Sequence, residues 1–280
     1  MTGHHDCHCC QRRFMLQGMA LLVSPGLVLA QGGDREGVEV GGNSVFSQLV
    51  PAESVEQSAA QQYAQMLQQA GAKKALAGPN HPQLRRLRAI AQRIIPHAIG
   101  WNPRASQWRW EVNLIGSQQV NAFCMPGGKI AFYTGILDKL QLTDDEVATV
   151  MGHEIAHALR EHARARMAKN AATGIGANIL SNVLGLGQLG QTVTSYGAQL
   201  LTLQFSRSDE SDADLVGMEL AARAGFDPRA GIRLWQKMAA ASQGAPPQWL
   251  STHPSGNTRI ADIQANLPKV LPLYERSHGK

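Results

Sequence analysis

Apolar and polar positions follow two periods along this chain, and the changes between them divide it into helical and extended stretches. Residues 31 to 52 are Gly-rich and polar and read as a loose leader. An Ala- and Gln-rich stretch from Glu53 to Leu76 then reads as a helix. A second helix is expected from an N-cap near Asn80, with Pro82 tolerated in its first turn, to the stop at Pro96 and Gly100. Trp108, Trp110, Val112 and Leu114 alternate with polar neighbours, the two-residue period of a half-buried strand. A second strand fits Gln119 to Met125, and after a turn at Gly127 and Gly128 a third fits Lys129 to Tyr133, which together predict a small antiparallel sheet. Thr143 with Glu146 forms a capping box that opens a helix expected to reach Lys169. The apolar, Gly-rich stretch 171–203 carries Asn178, Ser181, Asn182, Gln188 and Gln191, and reads as a mobile helical hairpin or lid. Further helices are expected over Gln204 to Ala224, stopped by Gly225, and from Asp227–Pro228 to about Ser242. A loop over Gln243 to Thr252 precedes a last helix from Asn257 to Leu267, with 269–280 as a tail.

Composition agrees with this pattern. With 280 residues and 44% hydrophobic content, one domain is expected, over 53–268. Aromatics at 5% and plentiful Gly and Ala suit close-packed helices better than a β-sandwich, so the class is α+β and mostly α-helical. The formal charge of +5 is spread thinly, and the arginines at 85, 86, 88, 160, 164 and 166 read as solvated helix faces, which argues against nucleic acid as a partner.

Residues 1–30 look like an export signal. Arg12 and Arg13 precede an apolar run from Phe14 to Ala30, and Ala30 before Gln31 is a plausible cleavage point. Gln17, Gly18, Ser24, Pro25 and Gly26 interrupt the run and leave no membrane-spanning length. The expected location is the bacterial periplasm, by the Sec or the twin-arginine route. Peripheral association with a membrane stays open. Cys7, Cys9 and Cys10 would leave with the signal, so Cys124 would remain without a disulfide partner.

Residues 153–157 read HEIAH. On a helix, positions i and i+4 share a face, so His153 and His157 can present imidazoles to one zinc ion, with Glu154 beside the attacking water. A hydrolytic zinc site needs a third protein ligand. In SRSDESDAD, residues 206–214, Glu210 and Asp214 fall four apart on one helical face, so one can bind metal while the other accepts the N–H of a ligating histidine. Asp209 and Asp212 are expected to face solvent or cap the helix.

HEIAH, the E-x-x-A-D of Glu210 to Asp214, the upstream NAFCMPGGKIAFYTGIL and the late THPSGNTRI together resemble the gluzincin peptidases of the HtpX, BepA, LoiP and CaaX prenyl-protease type, over roughly residues 80 to 265. The resemblance implies a zincin-like domain with one zinc ion held by His153, His157 and Glu210, and Glu154 as catalytic base. It also implies a sheet bordering the active-site helix, in which Asn121, Ala122 and Phe123 pair with extended or unfolded polypeptide. His253 would sit near the metal, as a catalytic partner for the transition state or as a reversible extra ligand. The expected activity is endoproteolysis in envelope protein quality control. A latent, zinc-stabilised chaperone-like protein and a zinc aminopeptidase stand as the alternatives. Arg259 is expected to anchor the last helix against an acidic partner.

Overall fold

The computed structural model describes residues 35–172, 200, 203–242, 247–254 and 258–278; the expected export signal and nearly all of the expected lid lie outside them. After a 3-10 helix at Val45–Leu49 come α1 (Ala52–Ala72), α2 (Pro82–Ile94), β1 (Glu111–Ile115), β2 (Ala122–Met125), β3 (Lys129–Tyr133), α3 (Thr134–Leu140), α4 (Asp144–Leu159), α5 (His162–Ala172), α6 (Arg207–Arg223), α7 (Ala230–Ala241), α8 (Gln248–Thr252) and α9 (Arg259–His278). The class is α+β with helix predominant. His81, one residue past Asn80, takes the N-cap position of α2, and no side chain caps that helix.

The sheet is mixed, which corrects the antiparallel expectation. β2 and β3 form the expected hairpin, but β1 pairs with the far edge of β3 in parallel, so the order is β1-β3-β2. The segment 116–121 is long enough to step over one strand position, about 10 Å for two interstrand spacings. The central place goes to the strand with the most to bury: Ile130, Ala131 and Phe132 of β3 are all fully inaccessible.

The core is built on α4. Thr143 and Glu146 complete the predicted capping box, and Val147, Val150, Met151, Ile155 and Leu159 are fully buried. α6 crosses α4 where two glycines meet. A Cβ on Gly152 would lie 2.6 Å from the Gly217 carbonyl oxygen, and one on Gly217 would lie 2.6 Å from the His153 amide nitrogen. Backbone contact at this crossing lets Glu210 and Asp214 reach His153 from the neighbouring helix.

The helix expected to run to Lys169 breaks after Leu159. Arg160 and Glu161 close it with N–H bonds to the carbonyls of Ala156 and Ala158, and Glu161 takes a left-handed φ of 56° before α5 begins. The leader is also docked from residue 36 onward. Val38 is buried and donates its N–H to the fully buried carboxylate of Glu219 at 2.9 Å, while Arg160 and Arg164 donate to the carbonyls of Gly41 and Val50. The expected loop before His253 contains the one-turn helix α8. The last helix runs past Leu267, through Pro268 and Pro272, to His278, because Ile263, Val270 and Leu273 keep a buried stripe against the core.

Candidate metal centre

Four buried side chains converge on one point. His153 and His157 lie one turn apart on α4, Glu210 lies in the first turn of α6, and His253 caps the C-terminus of α8. One ligand atom from each falls within 4.8 Å of all the others, and none of the four is more than 3% exposed. Glu210 is presented by the capping box in which Ser206 and Asp209 exchange hydrogen bonds at the start of α6. Asp209 is therefore a cap, as expected.

The polar groups behind the histidines fix which ring nitrogen carries hydrogen. Asp214 accepts from His153 Nδ1 at 3.0 Å, and its carboxylate is gripped by Arg259 Nε and Nη2 at 2.6 and 2.7 Å. A carboxylate only accepts, so His153 donates to it from Nδ1, and in the neutral tautomer this leaves Nε2 bare. His157 Nδ1 lies 2.9 Å from His162 Nδ1, whose Nε2 lies 3.1 Å from Asp212 Oδ2. Arg160 Nε donates to the same oxygen at 2.7 Å. In a neutral ring that donates to Asp212 through Nε2, His162 Nδ1 is an acceptor, so His157, kept neutral by burial, donates from Nδ1 and leaves Nε2 bare.

Two bare imidazole nitrogens therefore face each other at 3.0 Å, with Glu210 oxygens 3.4 and 3.6 Å from them. Two imidazole nitrogens and a carboxylate thus converge as lone-pair donors on one point, the donor set that a cation takes. A tetrahedral ion with ligands at about 2.0–2.1 Å has edges of about 3.3–3.4 Å, and the observed separations bracket that range. The residues fit zinc.

The electrostatics agree. Burial holds the pKa of His157 well below its ordinary value and keeps the ring neutral. Burial alone would raise Glu210, but the surrounding rings of His157, His253 and His153 outweigh it and hold the carboxylate well below its usual range. Asp214 is likewise lowered, burial being overcome by Arg259 and His153, and Asp212 by His162 and Arg160. For His253, burial opposes protonation but Glu154 and Glu210 outweigh it, so its pKa lies above the ordinary value.

Glu154 lies beside the cluster, 2% exposed. Its Oε1 accepts from Trp249 Nε1 at 2.6 Å and lies 3.5 Å from His253 Nε2. His253 Nδ1 is 3.0 Å from Glu210 Oε1 and 3.3 Å from His153 Nε2, and its ring stacks on Trp249. A cleft opens over this group, bordered by Asn121, Ala122 and Phe123 together with Glu154, His157 and Phe205. Cys124 also borders it, but burial pushes its thiol well above the ordinary pKa, which favours a packing role over a thiolate ligand.

Several contributors escaped the sequence reading. Asp212 is not a solvent-facing group, Arg160 is only 7% exposed instead of solvated, and His162 was not singled out. Five residues beyond His157, His162 would point elsewhere on a continuous helix, and only the break after Leu159 returns its ring to the site. The acidic partner expected for Arg259 proves to be the site itself, since Nη1 also donates to Glu210 Oε2 at 2.6 Å.

The family model for peptidase family M48 matches residues 80–267 of this chain. The chain is 41% identical over 167 residues to the mitochondrial metalloendopeptidase OMA1 of Arabidopsis thaliana, an overlap covering 59% of this chain and 33% of that protein. It is 36% identical over 175 residues to the OMA1 of Schizosaccharomyces pombe, covering 61% and 51%. It is 31% identical over 169 residues to the beta-barrel assembly-enhancing protease of Yersinia pestis, covering 57% and 35%. The chain thus spans about a third to a half of the length of these relatives.

Proposed function

From the premise that this chain belongs to peptidase family M48, we propose that it is a zinc-dependent endopeptidase that cleaves extended or unfolded polypeptides in bacterial envelope protein quality control. The observation that carries this reading is the buried convergence of His153, His157 and Glu210 beside the Glu154 carboxylate, at the floor of a cleft edged by a β-strand. The names of the relatives, a metalloendopeptidase and an assembly-enhancing protease, support the reaction class and the quality-control setting. The signal-like pattern of residues 1–30, Arg12 and Arg13 before an apolar run, supports the periplasm as the site of action. Among the described residues, no helix is long and apolar enough to cross a membrane.

His153, His157 and Glu210 would hold one zinc ion, with Asp214 orienting His153. Bound there, the metal supplies Lewis-acid polarisation of the scissile carbonyl and acidifies the attacking water. Trp249 anchors Glu154 through Oε1, which leaves Oε2 to take the proton from that water and pass it to the departing amine. The outer edge of β2 binds the substrate backbone. Val120 O accepts from Trp249 and Asn121 O from Tyr133, so alternate residues point outward and toward β3. By that alternation Ala122 and Cys124 offer their backbone groups to substrate, while Asn121 and Phe123 contribute side chains along the cleft.

Removal of zinc by a chelator is expected to abolish cleavage of casein and of an amino-terminally blocked peptide, and re-addition to restore both. Cleavage that survives chelation refutes the proposal, and failure on the blocked peptide alone would favour the aminopeptidase.

A second reading concerns latency. His253 Nδ1 lies as close to Glu210 and His153 as a fourth ligand would, so this arrangement also suits a closed enzyme. His253→Ala separates the roles: as an oxyanion partner its loss lowers kcat about 10- to 1,000-fold with zinc retained. As a blocking ligand its loss weakens zinc binding and raises activity at saturating zinc. Titration of zinc affinity alongside kcat distinguishes them.

A further inference from the structure

Behind one histidine of the site stands an arm that differs from the usual carboxylate or carbonyl support. We infer that His162, backed by Asp212, is the positioning residue for His157: it accepts the Nδ1 proton of His157 and so aims the bare Nε2 at the metal position. The inference rests on the reading that His157 is a zinc ligand, and it concerns this chain's own hydrogen bonds. The two imidazoles meet through their Nδ1 atoms at 2.9 Å, and His162 Nε2 reaches Asp212 Oδ2 at 3.1 Å. Arg160 holds that oxygen at 2.7 Å and also donates to the Gly41 carbonyl, so the far end of the arm is fixed by the docked segment 36–44. Arg160 only donates and Asp212 only accepts, so a neutral His162 that donates to Asp212 presents its Nδ1 to His157 as an acceptor.

A second observation points the same way. Glu161 holds a left-handed φ of 56°, a conformation that is strained for a residue other than glycine. Without this break His162 would lie well away from the face that carries His157. The strain is retained where it returns a ring to the metal-binding face. His162 itself is 5% exposed and edge-on to His157, with ring centroids 5.0 Å apart.

The test uses the mature protein with three single variants and one double. His162→Phe keeps a ring of similar volume and removes both hydrogen bonds. It is expected to weaken zinc affinity, measured by competition with a chelator, by about 10- to 100-fold, and to alter the visible spectrum of the cobalt-substituted protein. The melting temperature of the metal-free protein should change little. His162→Asn returns an acceptor to His157 and is expected to recover most of the affinity. Asp212→Ala should weaken binding less than His162→Phe, and the double variant His162→Phe/Asp212→Ala should be no worse than His162→Phe alone, since both act through one ring. Wild-type zinc affinity in His162→Phe, an Asn variant no better than Phe, or additive losses in the double variant would overturn the inference. If His162→Phe does not fold, the Asn variant and Asp212→Ala decide it by the same affinities. A parent protein that binds no zinc tightly would instead refute the metallopeptidase reading, a result separable from failure of the arm alone.

Discussion

Glu154→Gln is expected to bind zinc like the parent protein and to lose about 10²–10⁴-fold in kcat, the range set by removal of a positioned general base. The substitution is nearly isosteric and leaves His153, His157 and Glu210 untouched. Glu154 is 2% exposed, and its Oε1 is already committed to the Trp249 indole N–H at 2.6 Å. A glutamine can offer its carbonyl oxygen to Trp249, but its remaining group is then an N–H₂ that cannot accept a proton from water. Zinc content and casein hydrolysis, measured side by side, check this. Parent-like turnover would remove Glu154 from the reaction and with it the proposed base.

Arg259→Met should have the largest effect on stability, about 3–5 kcal/mol in the metal-free protein, because it leaves buried carboxylates without their cation. Arg259 is 3% exposed, grips Asp214 through two nitrogens, donates to Glu210 at 2.6 Å and lies 3.7 Å over the Trp235 ring. Methionine keeps contact with Trp235 and removes the charge.

The loss should depend on pH in a definite sense. Asp214 and Glu210 have folded pKa values held below their ordinary values, against burial, by Arg259 and by the neighbouring histidines. Such groups contribute stability that is complete above the ordinary carboxylate pKa and is lost as pH falls through the folded value. In the variant burial works on Asp214 without the guanidinium, so the carboxyl binds a proton more readily when folded and acid no longer penalises it to the same degree. The gap between parent and variant is therefore widest at neutral pH and narrows toward acid. Urea unfolding of both metal-free proteins across that range measures it, and bound zinc should restore part of the deficit by supplying a counter-charge to Glu210. A gap of under 1 kcal/mol at neutral pH would show that the guanidinium does not carry these anions.

The HEIAH face, the capping box at Thr143 and Glu146, the strand Lys129–Tyr133 and the Glu210–Asp214 pair were all legible along the chain. Each depends on a repeat that the backbone imposes locally: four residues per helical face, two per strand face, three from cap to box partner. His153 and His157 share a face wherever their helix packs. Tertiary structure decided everything that depends on which surfaces are buried together. β1 pairs in parallel because β3, the most buried strand, takes the centre of the sheet. The helix breaks after Leu159, where Arg160 and His162 find Asp212 on a neighbouring helix, a partner some fifty residues away that no local period marks. The segment after residue 35 reads as loose because Gly and polar residues dominate it, yet Val38 and Gly41 dock through backbone groups, which composition does not report. Arg259 became part of the site for the same reason. Its charge could be read from the chain, but the two carboxylates it neutralises are gathered only when α6 and α9 close over α4.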